Sequence, residues 1–360
     1  MRRLPVFTAL MLSGIVGCAD SVTAPQRQPT LAVVPAPAAS PVVNVPGTTR
    51  RTLTIDGETR EFFVHVGRTA TANEPVPVVF FLHGSGGTGL EYRNISRWRE
   101  KADTMGFIAV FPSALTYCFR SDENNDGDTE DLVDLHVTTQ WTQGVLGDSL
   151  HPVCAPKDYL LLTDAQRRRS LHRFQDDTVF VDAMLADVKA NYLVDTKRVY
   201  LAGFSNGAEM SSRMLVERSH VFAAIAIHAG SMRVAPAPLG ARRVPLLRSV
   251  GNRDDRSFST LPNGTMPIFP GAVNFAFMQD RFLVPYLQQG LLANTPDYGL
   301  MIWNGRKVGR WVYDDGLVGN TNPFVFLLVE RNTHSYPNGV NHVITMADRV
   351  WPFLAAYRLP

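Results

Sequence analysis

RVYLAGFSNGAEMSSR, residues 198 to 213, decides the fold. Val199, Tyr200 and Leu201 are a short apolar run of β-prone residues that ends at Gly203, which predicts a buried strand. From Asn206 onward Ala208, Met210, Met214 and Leu215 recur at helical spacing. Between them lies Gly203-Phe-Ser205-Asn-Gly207, a G-x-S-x-G. A strand that becomes a helix within two residues forces the central residue into a strained conformation. The flanking glycines remove the Cβ atoms that would block so tight a turn. Such a turn pushes the Ser205 hydroxyl above the sheet, at the N-terminus of a helix whose free N–H groups can meet an oxyanion. Ser205 is therefore the candidate nucleophile, and the N–H of Asn206 a candidate oxyanion donor.

Either side of this turn, strands and helices alternate. Phe180, Val181, Met184, Leu185, Val188 and Tyr192 predict an amphipathic helix leading into the nucleophile strand. Val221 to His228 and Val244 to Val250 are the next buried strands, Phe324 to Glu330 a late one, and Thr345 to Tyr357 a closing helix. Upstream, TLTIDGETREFFVHV alternates on both sides of Asp56-Gly57, a hairpin signal. Val76 to Leu82 follows as a fully buried strand. The expected class is α/β: an α/β-hydrolase fold, a mostly parallel sheet with helices on both faces and an N-terminal antiparallel hairpin.

The strand ending at Leu82 runs into His83-Gly84-Ser85-Gly86-Gly87-Thr88-Gly89. Taken alone, its glycines satisfy a dinucleotide-binding pattern, but that pattern needs an acidic residue after the next strand. Phe107 to Phe111 ends instead in Pro112-Ser113, so a nucleotide site is excluded. The remaining use of such a loop is a second oxyanion N–H opposite the nucleophile, from Ser85 or Gly86.

A serine nucleophile needs a base and a group to orient it, in the chain order Ser, acid, His. Gly251-Asn-Arg-Asp254-Asp255 follows the Val250 strand, and Arg331-Asn-Thr-His334 follows the Glu330 strand. Asp254 and His334 are the candidates. Asp254 could instead be a turn or cap residue, Asp314 and Asp315 are further acids in the right order, and His342 is a second possible base. No His or carboxylate spacing suggests catalytic zinc, and no cofactor is expected for catalysis.

Residues 115–175 are a long polar insertion, read as irregular, and too long for a simple turn. Cys118 and Cys154 lie in it, and once Cys18 is set aside they are the only thiols of the chain, so they are expected to pair in an oxidising compartment. Asp122, Asn124, Asp126 and Asp128, with Gly127 at the bend, match the first half of a calcium loop. The twelfth position is Val133 rather than glutamate, so the choice lies between a structural calcium and a solvated acidic loop.

The chain has 360 residues, a formal charge of +2 and 45% hydrophobic residues. That is ample for a large core and gives no acidic tail and no basic surface for nucleic acid. Residues 1–18 read as a targeting segment: Arg2 and Arg3, the apolar run Val6 to Val16, then Ile15-Val-Gly-Cys18. The last quartet resembles the lipobox of bacterial lipoprotein signals, which implies lipid on Cys18; the alternative is an ordinary secretory signal. Residues 19–48, rich in Pro and Ala, read as a tether, and 49–360 as the catalytic domain. The protein is expected to be exported, secreted or held at the envelope by its N-terminal lipid alone, and to act as a monomer.

IDGETREFFVHV, VVFFLHGSGG, DDTVFVDAMLADVKANYLVDTKRVYLAGFSNGAEM, SVGNRDD and NTHSYPNG occur in that order. In them the chain resembles the secreted esterases that include polyhydroxybutyrate depolymerases and feruloyl and acetylxylan esterases. The resemblance covers most of residues 50–255 and a short piece near His334. It implies a triad of Ser205, Asp254 and His334, an oxyanion loop at His83 to Gly86, and an ester-bearing small molecule or polymer as substrate. Where this family commonly has glycines before the histidine and tryptophan two after it, this chain has Arg331-Asn-Thr333 and Tyr336. Residues 256–323 do not resemble it. Two other functions fit the same residues: a serine peptidase on this fold, and a non-catalytic lipoprotein that binds polymer in a hydrolase-like cleft.

Overall fold

In the computed structural model the described residues are 42–124, 126–234, 242–256, 297–313 and 322–360. The targeting segment with Cys18, nearly all of the tether, Asp314, Asp315 and most of 256–323 lie outside them. Residues Pro41–Pro360 form a single compact unit.

Twelve strands are described. The first two, β1 (Gly47–Ile55) and β2 (Glu58–Val66), are the expected hairpin. Its turn residues Asp56 and Gly57 have φ of 47° and 85°, the left-handed pair that a two-residue turn between twisted strands requires. Next come β3 (Val76–Leu82) and β4 (Ile108–Pro112), both wholly buried, as near-continuous Val, Ile and Phe predict for strands covered on both faces. Beyond them are β5 (Thr116–Arg120), β6 (Leu135–Thr139), β7 (Val194–Phe204), β8 (Ala224–His228), β9 (Leu246–Gly251), β10 (Asp297–Trp303), β11 (Arg306–Tyr313) and β12 (Phe324–Val329).

Ten of these strands make one sheet in the order β1-β2-β4-β3-β7-β8-β9-β12-β11-β10. The six from β4 to β12 run parallel, and an antiparallel hairpin closes each edge. This is the expected α/β-hydrolase architecture with one element more. The second hairpin, β10–β11, turns at Asn304-Gly305 with φ of 49° and 75°. Asn-Gly between apolar runs is a strong hairpin signal, so this element is legible in the sequence although the reading above does not include it.

The described helices are α1 (Gly89–Ile95), α2 (Trp98–Met105), α3 (Pro156–Tyr159), α4 (Asp164–Arg169), α5 (Asp177–Asn191), α6 (Asn206–Glu217) and α7 (Met346–Ala355). Lys101–Asp348 joins α2 to α7, while Arg218–Asp182 and the Arg213 contact with Asp176 join α6 to the start of α5. The α5 stripe Phe180, Val181, Met184, Leu185 and Val188 is buried. At its first turn the buried Arg60 of β2 meets Asp177 at 2.6 Å.

The insertion is more ordered than its polarity suggests. β5 and β6 pair as a separate two-stranded sheet, and Val153 bridges to Phe119. Cys118 and Cys154 form a disulfide with Cα atoms 5.3 Å apart. Tyr117, Phe119, Leu115 and Leu146 make a small apolar cluster of their own. That cluster holds the insertion together, and its residues are too scattered along the chain to show a period.

Candidate active site

Ser205, Asp254 and His334 follow β7, β9 and β12, three strands of the parallel core, and meet above its carboxyl ends, where open α/β sheets present their crevices. His334 lies between the other two. Its Nε2 is 2.9 Å from Ser205 Oγ, and its Nδ1 is 3.0 and 3.1 Å from the two oxygens of Asp254. Asp254 is fully buried and also accepts the N–H of Arg256 at 3.1 Å. An imidazole that donates Nδ1–H to a carboxylate is left with an Nε2 lone pair facing the hydroxyl, the protonation a general base needs.

Ser205 has φ 51° and ψ −123°, a conformation that non-glycine residues rarely adopt. The reason lies in its glycines. A Cβ on Gly203 would be 2.3 Å from the Gly207 carbonyl oxygen, and one on Gly207 would be 2.3 Å from the Leu82 oxygen. Backbone therefore approaches backbone on both sides of the serine. Strain of this kind persists only where surrounding structure over-determines it. Here the Ser205 N–H donates to the His228 carbonyl at 2.9 Å, and its own carbonyl accepts from Ala208 and Glu209.

The acid and base loops are tied to one another. Arg253 N–H donates to Asn332 O at 2.9 Å, Asn252 N–H to Val329 O at 3.0 Å, and Arg331 N–H to Asn252 Oδ1 at 2.6 Å. A Cβ on Gly251 would lie 2.0 Å from Asn332 O, so the two backbones touch. Arg331 sits at φ 60°. That left-handed position is the natural place for glycine, and here arginine holds it.

Of the expected oxyanion donors, Gly86 needs correction. Its N–H already donates to Thr139 O at 3.0 Å, so it is not free to meet an oxyanion. Among the described residues the N–H groups of Ser85 and Asn206 donate to no protein acceptor. His83 holds the loop that presents Ser85: Nδ1 donates to Gly84 O at 2.7 Å and Nε2 accepts the Ala114 N–H at 3.0 Å. Burial pushes its pKa down to about 4, with the Gly84 carbonyl opposing and the Arg60 charge assisting, so the ring is neutral.

Sequence reasoning missed the brace around these donors. Trp141, fully buried, donates Nε1–H to His83 O at 2.9 Å and its backbone N–H to Asn206 Oδ1 at 2.7 Å. Thr139 Oγ1 donates to Gly87 O, and Ser85 Oγ to Gln140 Oε1. Thr142 N–H reaches Asp177 Oδ2 at 2.9 Å. The segment after β6 thus grips both oxyanion strands at once. Nothing local marks Trp141 for this role.

His342 stands apart from the triad. Its Nε2 donates to Glu330 O at 3.0 Å and its Nδ1 accepts the Ile344 N–H at 3.2 Å. In the acidic loop the side chains of Asp122, Asn124, Asp126 and Asp128 accept N–H groups of their own backbone. Among the described residues no group of three or more His, Cys, Asp or Glu is arranged to hold a metal ion, and no helix is long and apolar enough to cross a membrane.

Residues 175–252 match the family model for esterase PHB depolymerase. NocK of Nocardia uniformis subsp. tsuyamanensis, which bears the name of an esterase, is 28% identical over 230 residues, covering 61% of this chain and 54% of NocK. The bifunctional acetylxylan esterase/xylanase XynS20E of Neocallimastix patriciarum is 24% identical over 192 residues, covering 53% of this chain and 21% of that protein. The chain thus spans about half the length of one relative and about a fifth of the other. Among solved structures, acetyl xylan esterase from Aspergillus awamori matches with a TM-score of 0.48 and 14% identity, over 85% of this chain and 98% of that one. The resemblance read from the sequence is borne out: the chain is similar in sequence to these esterases.

Proposed function

We propose that the chain is a serine hydrolase of carboxylic esters that works through an acyl-enzyme. The observation that carries this reading is the single imidazole of His334, within hydrogen-bond reach of Ser205 on one side and Asp254 on the other. His334 Nε2 takes the Ser205 proton as Oγ attacks the ester carbonyl. The carbonyl oxygen becomes an oxyanion, met by the N–H groups of Asn206 at the start of α6 and Ser85 in the glycine loop. Collapse expels the alcohol, which leaves with the proton held on His334. Water then enters, gives a proton to the same nitrogen and attacks the acyl carbonyl; as the second oxyanion collapses, His334 returns that proton to Ser205 Oγ and the acid is released. Buried Asp254 stabilises the imidazolium in both halves. The reaction so written needs no cofactor.

Acetyl esters of plant polysaccharide and hydroxyalkanoate polyesters are the substrate classes consistent with the relatives' names, and feruloyl esters are added by the resemblance read from the sequence. The disulfide and the residues before Cys18 support export, with lipid at Cys18 as anchor. Replacing Ser205 with Ala should lower kcat on p-nitrophenyl acetate by several orders of magnitude and abolish labelling by a fluorophosphonate. Wild-type protein should be assayed beside it on methyl ferulate, a polyhydroxybutyrate film and a peptide p-nitroanilide. Near wild-type ester hydrolysis by the variant would sink the proposal, and cleavage of the anilide alone would make the protein a peptidase.

A further inference from the structure

His228, the last residue of β8, touches both halves of the candidate catalytic pair. Its carbonyl oxygen accepts the Ser205 N–H at 2.9 Å. Its ring, 1% exposed, points toward the base loop, with Nε2 3.0 Å from the carbonyl oxygen of Ser335, the residue after His334. Nδ1 is 2.8 Å from Ser249 Oγ, and Asn332 Nδ2 lies 3.1 Å from Nε2 and 3.0 Å from the same Ser335 oxygen. Phe204 stacks on the ring at 6.0 Å and Tyr336 meets it edge-on at 5.7 Å.

One proton arrangement lets the ring itself hold the base loop. A carbonyl oxygen only accepts, so Nε2 carries the hydrogen and donates to Ser335 O. Nδ1 is then an acceptor and takes the Ser249 hydroxyl proton at 2.8 Å in preference to the longer 3.3 Å contact of that hydroxyl with Ile227 O, while the Asn332 amide donates to Ser335 O from the other side. The opposite tautomer would set an Nε2 lone pair against the carbonyl lone pairs. Burial first, then the charges of His334 and Arg248, push the His228 pKa down to about 3, against the pull of Asp254 and of the Ser335 carbonyl. A neutral ring here adds no cation beside the imidazolium that forms on His334.

We propose that His228 is a positioning residue that sets the distance between Ser205 and His334, anchoring the nucleophile by its backbone and the base loop by its ring. The inference rests on the reading of Ser205 and His334 as nucleophile and base. The loop from Arg331 to Ser335 has no helix or strand of its own, so its height above Ser205 depends on such anchors. A misplacement of about 1 Å between reacting groups costs on the order of a hundredfold in rate.

Four variants test this on the full chain with p-nitrophenyl acetate. His228→Phe keeps the ring packing and removes both hydrogen bonds; kcat should fall about 10- to 100-fold with KM within about twofold. His228→Gln, whose amide can still donate to Ser335 O, should recover most of that loss. Ser249→Ala, small enough to fold where His228→Phe does not, frees the tautomer and should lower kcat several-fold. Ser205→Ala serves as the reference. Wild-type kcat in folded His228→Phe or, if that variant does not fold, in Ser249→Ala, with Ser205→Ala inactive, overturns the role of His228 and leaves the esterase reading standing. Equal kcat losses in His228→Phe and His228→Gln also overturn it, since packing alone would then account for the effect. Activity in Ser205→Ala removes the esterase reading and this inference with it.

Discussion

Gly84 lies against Ser205: a Cβ built on the glycine would be 3.1 Å from the serine Cβ and 3.0 Å from Phe204 Cδ1. The glycine loop and the elbow are thus in contact before any substrate arrives, and the N–H of Ser85 is delivered by that contact. Gly84→Ala should push the loop outward by a few tenths of an ångström. Its kcat should fall roughly 10- to 100-fold with the melting temperature little changed, because the displaced donor acts only on the oxyanion. An unchanged kcat would mean that Ser85 does not serve there.

His342→Ala should leave most of kcat. Its ring bonds two backbone groups, Glu330 O and Ile344 N–H, so the cost should be one of stability, about 1–3 kcal/mol for groups left unpaired. Steady-state kinetics beside urea unfolding separates the two. Loss of catalysis comparable to His334→Ala would exchange the roles of the two histidines.

Most of this site could be read from residues because its determinants are local. The elbow needs two glycines and a strand-to-helix switch, and Gly203 and Gly207 supply them where backbone meets backbone. Asp254 and His334 stand directly after strands whose apolar runs are unmistakable. The Gly86 N–H is not legible as engaged, because whether an N–H is free depends on a distant partner, here Thr139 of β6. Trp141 is a buried indole in a polar stretch, and its function comes from meeting His83 and Asn206 in space. The strands of the insertion are hidden in the sequence for a similar reason. Their order comes from a disulfide and a four-residue cluster, with no long alternating pattern behind it.

Acid should unfold the protein through its buried histidines. His83 and His228 are pushed by burial from 6.5 down to about 4 and about 3, and His65 and His342 are lowered for the same reason. The unfolded chain binds protons near the ordinary histidine value while the native state refuses them. Stability is therefore complete above about pH 6.5 and is lost as pH falls toward 4 and 3. For His83 and His228 the loss by pH 5 is about 2 kcal/mol each, at 1.36 kcal/mol per pH unit. Urea unfolding at pH 7.5 and 5.0 measures it. Equal stabilities at the two values would show that these rings are charged in the native state.

Reduction of Cys118–Cys154 should loosen the insertion first. The bridge closes a loop with a sequence separation of 36, for which chain entropy gives about 4 kcal/mol. β6 ends at Thr139 and leads directly into Gln140 and Trp141, and these three residues hold the glycine loop. A Cys118→Ser, Cys154→Ser variant should therefore be nicked by protease within 115–175 and show reduced kcat while the main sheet persists. Full activity in a variant shown to be nicked there would disconnect the brace from catalysis.

Trp141 and Asn206 should act as a unit. Trp141→Phe deletes the indole N–H that meets His83 O at 2.9 Å and keeps a ring beside His83, now 5.1 Å away. Asn206→Ala deletes the acceptor of the Trp141 N–H, a bond of 2.7 Å, and leaves the Asn206 N–H itself in place. Neither change touches an oxyanion donor directly, so neither should shift KM much. Each lets one strand of the oxyanion pair drift from the other, and each should lower kcat several-fold. Once one bond is gone, the segment after β6 no longer holds the two strands at a fixed separation, and loss of the second bond matters less. The double variant should thus fall short of the product of the two single effects, by a coupling of about 0.5–3 kcal/mol as residues in one network show. Kinetics of the four proteins on p-nitrophenyl acetate gives that coupling directly. Additive losses, or losses confined to KM, would show that Trp141 and Asn206 support the fold separately and do not together hold the oxyanion donors.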